Sequence, residues 1–157
     1  MDTDEHRFKH KEITEQIIRI FYEVYNELGH GFLESVYERS LEIALNSLKL
    51  KVCRQIQIPV WFRGQPVGDF TADMLVADCV LLELKAARSL DSAHQAQLLN
   101  YLRATEIEVG LLLNFGLKPE IKRLIFDNPR KATRGNPRIS IADLLVADHG
   151  TEETPPS

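Results

Sequence analysis

The sequence predicts an α/β domain with a mixed sheet, and three observations carry that expectation. Two N-terminal segments have helical periodicity. A stretch rich in strand signals and turns follows. After it, one helical segment leads into a wholly apolar seven-residue run. The 157 residues suit one domain. At 44% hydrophobic and 27% charged, the composition is that of an ordinary water-soluble protein.

In the first segment, about 10 to 28, Ile13, Ile17, Ile20, Phe21, Val24 and Leu28 recur at spacings of three and four. Gly29 is placed to cap its C-terminus, because glycine adopts the left-handed backbone at no steric cost. The second helix, about 32 to 48, buries a stripe of Val36, Tyr37, Leu41, Ala44, Leu45 and Leu48. Strand sequence begins at Val52, where Ile56, Ile58 and Val60 share parity, and runs to Phe62. Arg63-Gly64-Gln65-Pro66 is a turn, and further strands are expected over about 67–76 and 80–86, giving a three-stranded antiparallel meander. Asp91 caps a helix of about 92 to 105. Val109 to Phe115 then reads as the buried centre of a sheet, reached by a crossover to a parallel neighbour. A short edge strand, about 121 to 126, closes the domain. The expected domain is therefore 8–126, followed by a loop-rich or disordered tail, 127–157. Within that tail, Ala142 to Asp148 nearly repeats Ala72 to Asp78, a similarity ascribed to chance because no Glu-x-Lys follows it.

Charge inside the apolar strands is the functional signal. Glu83 and Lys85 lie two residues apart in Val80 to Ala86, so both project from one face of a strand that ought to be buried. Burying such charges costs several kcal/mol unless they are paired or bind something. Asp73 lies on the preceding strand, ten residues upstream of Glu83. A two-residue turn at Ala77-Asp78 would set Asp73 opposite Leu82 and send the two acids to opposite faces. A shared site therefore requires a three-residue connection, Ala77 to Cys79, or a bulge. Two carboxylates and a lysine suit a divalent metal acting on a phosphodiester. Mg²⁺ takes oxygen ligands and retains waters, and a bound metal generates hydroxide and offsets phosphoryl charge. Asp73, Glu83 and the Leu84 backbone carbonyl are the candidate ligands, with Lys85 beside the attacking water. The same triplet also describes a cross-strand ion pair at a sheet edge.

Glu34 begins the second helix, where the helix dipole favours an acid, and it is a candidate third carboxylate. Tyr37 shares its face and is either a site hydrogen-bonder or a core tyrosine. His94, Gln97 and Tyr101 fall within about 60° of one another on their helix and are placed to rim the site. Asn114 is a further candidate for that rim.

The net charge of −4 argues against coating nucleic acid electrostatically, although Asp73, Glu83 and Glu34 supply three of the negative charges. Lys118, Lys122, Arg123, Arg130 and Lys131 form the one basic cluster. Two cysteines without metal-ligand spacing, no transmembrane run and no signal peptide fit a cytoplasmic protein.

Together these motifs resemble the PD-(D/E)XK nuclease superfamily and, within it, small proteins carrying a GxxExxY motif, here Gly31, Glu34 and Tyr37. The resemblance spans roughly residues 8 to 126. It implies a restriction-endonuclease-like core in which Asp73, Glu83 and Lys85 take the metal and catalytic positions and Glu34 the helical acid. Gln97 and Tyr101 match a motif of exonuclease-like branches. Ala72 stands where the signature has proline. The implied activity is Mg²⁺- or Mn²⁺-dependent hydrolysis of DNA. The alternative is a non-catalytic nucleic-acid- or protein-binding module retaining the fold. A third reading is a subunit of a larger assembly whose partner supplies the basic surface, and a homodimer or a partner subunit is compatible with either case.

Overall fold

The structure, a computed structural model, describes residues 10–131, 140 and 143. Its elements run α1 (Lys11–Leu28), α2 (Glu34–Ser47), β1 (Val52–Phe62), β2 (Gln65–Val76), β3 (Val80–Lys85), α3 (Ser92–Ala104), β4 (Val109–Phe115) and β5 (Pro119–Ile125), then a 3-10 turn at Asn128–Arg130. The five strands form one sheet in chain order. Every neighbouring pair is antiparallel except β3 and β4, which are parallel and joined through α3. This is the expected α/β architecture. The strand β2 starts at Gln65, earlier than its alternation suggests, because long pairing with β1 carries the ladder to the Phe62↔Gln65 turn.

The sheet separates two apolar layers. On one face, α1 and α2 bury Ile17, Phe21, Leu41 and Leu45 against Val80, Leu82, Leu84, Val109, Leu111 and Leu113. On the other, α3 lays Leu98, Tyr101 and Leu102 over Leu81, Leu112, Ile56 and Ile58. All seven residues of β4 are buried, which its unbroken apolar run predicts. Gly110 lets α3 come close, since a Cβ there would meet the Leu98 methyls at 3.0 Å.

Strand parity breaks at the same level of two neighbours. In β1, Cys53 shares a face with Ile56 and Ile58; in β2, Leu75 shares one with Ala72, while Met74 and Val76 face the opposite layer. Residues three apart on one face mean that each strand turns over between them. The turn-overs fall at Gln55, whose φ of 56° is left-handed, and at Asp73. Regular Cα pairing lapses there, passing from Arg54↔Met74 to Ile56↔Ala72.

Both cysteines are free. Among the described residues, no helix is long and apolar enough to cross a membrane. Most of the tail 127–157 lies outside the described residues, as do residues 8 and 9. Of the near-repeat 142–148 only Asp143 is described; it is helical, and its N–H donates to Ser140 Oγ.

Candidate active site

The connection between β2 and β3 is the three-residue one, Ala77 to Cys79, with Val76 opposite Val80 and Met74 opposite Leu82. Ala77 and Asp78 both adopt left-handed backbone to make it, with φ of 52° and 58°. Regular β2–β3 pairing stops at Met74↔Leu82, while β3 stays paired to β4 as far as Lys85↔Asn114. Two crossed side-chain bonds continue across the parting strands. Asp73 N–H donates to Glu83 Oε1 at 3.0 Å, and Leu84 N–H donates to Asp73 Oδ2 at 2.7 Å. Each acid thus satisfies backbone on the other strand and keeps its second oxygen free of protein donors among the described residues. The two acids sit together, as a shared site requires.

Burial pushes the Glu83 carboxyl up to about 8; the charge of Asp73 adds to the rise, while the Asp73 N–H and Lys85 oppose it. Burial likewise pushes Asp73 up to about 6 against the Leu84 N–H bond, with Glu38 and Glu34 raising it further and Lys85 lowering it. Lys85 is half-buried and makes no hydrogen bond or close ion pair among the described residues. Of the charges acting on the pair, those of the neighbouring acids raise the carboxyls and that of Lys85 lowers them.

A cavity of about 180 Å³ opens beside the pair, lined by Glu34, Ser35, Glu38, Gln55, Asp73 and Leu84. Glu34 is exposed at the first turn of α2, and its Oε2 lies 3.4 Å from Ala86 N, the residue after Lys85. Among the described residues, no three acid, histidine or cysteine side chains converge as a ready metal cage. Glu34 is therefore close in charge but not packed with Asp73 and Glu83 into a three-acid cluster. Leu84 meets the site through its N–H.

Glu38 is the residue that sequence reasoning missed. It is buried, lines the cavity, accepts from Gln55 Nε2 at 2.7 Å, and pairs with Arg54 at 3.4 Å. Arg54 also reaches Glu42 at 3.1 Å. The available signal was spacing, since Glu34 and Glu38 stand four apart on one helix face.

Other expected rim residues have different surroundings. Tyr37 is fully buried, stacked on Phe115 with centroids 4.1 Å apart. Its hydroxyl donates to Gly29 O at 2.6 Å and accepts from Phe32 N–H at 3.3 Å, so it ties the α1–α2 connection together. His94 completes a capping box with Asp91 at the start of α3, which occupies its Nδ1. Tyr101 does approach the acids. Burial and then the charges of Glu83 and Asp73 push its phenol up to about 12. Gln97 is half-buried on the same helix, without a hydrogen bond among the described residues. Asn114 is buried in the fold and clamps the 86–90 connection. It exchanges hydrogen bonds with Ala87 at 2.9 and 3.0 Å and donates to Glu120 Oε1 at 2.9 Å, which itself accepts from Leu90 N–H. The basic cluster is smaller than its sequence implies, because Lys131 is buried and donates to Thr105 O and Ile107 O, each at 2.7 Å.

The family model described as PD-(D/E)XK nuclease superfamily matches residues 11–124. Among solved structures, the crystal structure of SSO0001 is similar with a TM-score of 0.47 and 17% identity, covering 77% of this chain. The chain spans 59% of the length of that one. No curated relative matches the sequence.

Proposed function

Since the chain belongs to the PD-(D/E)XK nuclease superfamily, we propose that it is a metal-dependent nuclease acting on DNA, with its site on the parted ends of β2 and β3. Its α/β sheet with flanking helices is the restriction-endonuclease-like fold of that family. Gly31, Glu34 and Tyr37 further support placing it among the small GxxExxY members. The observation that carries the reading is the crossed pair Asp73–Glu83, two mostly buried acids locked side by side with Lys85 next to them.

A hard divalent cation, Mg²⁺ or Mn²⁺, fits this donor set. Both acids are destabilised as anions, and each keeps an oxygen free. Mg²⁺ commonly takes one or two carboxylates and completes its shell with water and phosphate, so a three-acid cage is unnecessary. Asp73 and Glu83 would hold the cation, with Glu34 acting through water. Bound there, it would supply charge neutralisation at the phosphoryl oxygens and a more acidic water. Lys85 would orient the attacking water and stabilise charge developing on the phosphate. Tyr101 keeps its proton through the neutral range and can donate it in a hydrogen bond to phosphate, with Gln97 on the same rim. The free cysteines suit the reducing interior of a cell.

A binding module retaining the fold is the second reading. The acidic net charge of −4 supports it, because it argues against a surface built to hold nucleic acid for cutting. Purified protein incubated with labelled single- and double-stranded DNA separates the two. Cutting is expected with Mg²⁺ or Mn²⁺, abolished by chelator, and reduced at least about 100-fold in Glu83→Ala and Lys85→Ala. Folded wild-type protein that cuts neither substrate in any metal would overturn the nuclease reading.

A further inference from the structure

A second cavity, of about 400 Å³, lies beside the candidate active site and is bounded by His30, Gly31, Ala86, Ala87, Arg88 and Gly116. Ala86, on its wall, follows Lys85, and its N–H lies 3.4 Å from Glu34 Oε2. We propose that this cavity is a phosphate-binding subsite, holding by Arg88 and His30 a backbone phosphate of the substrate strand next to the one cleaved. The proposal rests on the nuclease reading and adds to it a residue-level path for the strand.

Three features of the cavity point to an anion. Arg88 and His30 are exposed, and neither has a hydrogen bond or ion pair among the described residues. In a chain of net charge −4, two unpaired donors facing one cavity beside an acid cluster are conspicuous. The backbone under Arg88 is held firmly. Asn114 grips Ala87 at both its N–H and C=O, and a Cβ on Gly116 would lie 2.3 Å from Ala87 O, so the residue after β4 and the loop touch backbone to backbone. A rigid base carrying an unpartnered guanidinium suits recognition of phosphate, whose oxygens match its planar fork. The volume is at the small end of ligand cavities, roughly 300–1,000 Å³, which suits a single nucleotide unit.

The test is binding of a fluorescent DNA oligonucleotide, measured by anisotropy across a salt series with Ca²⁺ present. Wild type is compared with Arg88→Gln, His30→Gln and, as a charge-matched control, Arg63→Gln at the β1–β2 hairpin turn. Loss of one phosphate contact should flatten the slope of log Kd against log salt by roughly 0.7–0.9 in Arg88→Gln. It should also weaken binding by about tenfold at low salt. His30→Gln should weaken binding less, and Arg63→Gln should match wild type. Wild type that binds while Arg88→Gln and His30→Gln share its affinity and slope would overturn the subsite. An equal loss in Arg63→Gln would overturn it too, by showing a net-charge effect. A subsite effect in a protein that never cuts would support the subsite and count against the nuclease. Wild type that neither binds nor cuts would overturn both.

Discussion

A carboxyl group raised to about 8 holds a proton at neutral pH unless a cation takes its place, and Glu83 is such a group. In the unfolded chain it titrates near 4.5. Between about 4.5 and 8 the folded protein therefore binds more protons than the unfolded one, so stability falls as pH rises. The contribution is complete below about 4.5 and is lost as pH climbs through 8. Asp73 acts in the same direction between 3.8 and about 6. Metal-free protein should thus melt lower at pH 8.5 than at pH 5.5, by roughly 5 °C or more. Mg²⁺ should raise Tm more at pH 8.5, where no proton competes. Glu83→Gln keeps an acceptor for the Asp73 N–H but removes the titration, so its Tm should vary less with pH. Thermal melts over that range, with and without Mg²⁺, check all three expectations. A Glu83→Gln profile parallel to wild type would refute the assignment.

The elements matter here chiefly for what they hold still. The connection from Lys85 to α3 carries no regular structure, yet Asn114 and Glu120 bond Ala87 and Leu90, and Gly116 packs against Ala87 O. A single side chain, Asn114, supplies three of those hydrogen bonds from a buried position. Asn114→Ala should destabilise the protein by about 2–3 kcal/mol, since it leaves buried polar groups unpaired. Gly116→Ala forces a methyl group into backbone oxygen and should destabilise it as well, by about 1–3 kcal/mol. Urea titration measures both, and a loss under 0.5 kcal/mol in either would show that the connection holds without the clamp. The opposed turn-overs at Gln55 and Asp73 act similarly. They re-aim Asp73 toward the cavity, and Gln55 secures Glu38 from its left-handed position.

For the whole molecule, the question is where the positive charge needed by a nucleic acid lies in a chain of net charge −4. The cluster at 118–131 does not supply all that its sequence suggests. Lys131 is an internal brace whose ammonium bonds two carbonyl groups at the end of α3. Lys131→Ala should therefore lower stability by about 2–3 kcal/mol, from the two acceptors it strands. Its effect on DNA affinity, measured at a temperature where the variant is folded, should be under twofold. A clear loss of affinity with unchanged stability would return Lys131 to the surface set.

The class of fold, the order of its elements and the candidate acids Asp73 and Glu83 were legible in the sequence because each is a local pattern. Apolar residues at three- and four-residue spacing make α1 and α2, an unbroken apolar run makes β4, and Glu83 with Lys85 must share a strand face. The β2–β3 connection was narrowed to three residues or a bulge, since two acids meant for one site cannot stand on opposite faces, and the fold takes the three-residue form. Roles that depend on distant partners could not be read this way. Tyr37, His94, Asn114 and Lys131 are polar residues of the kind that rim sites, and only packing assigns their atoms to Gly29, Asp91, Ala87 and Thr105. Glu38 entered the cavity lining only when Gln55, itself in an unforeseen left-handed conformation, came to lie beside it. Periodicity reports which face of an element is apolar; it says nothing of which buried donor each acceptor meets. That is settled by long-range contacts formed when the chain folds.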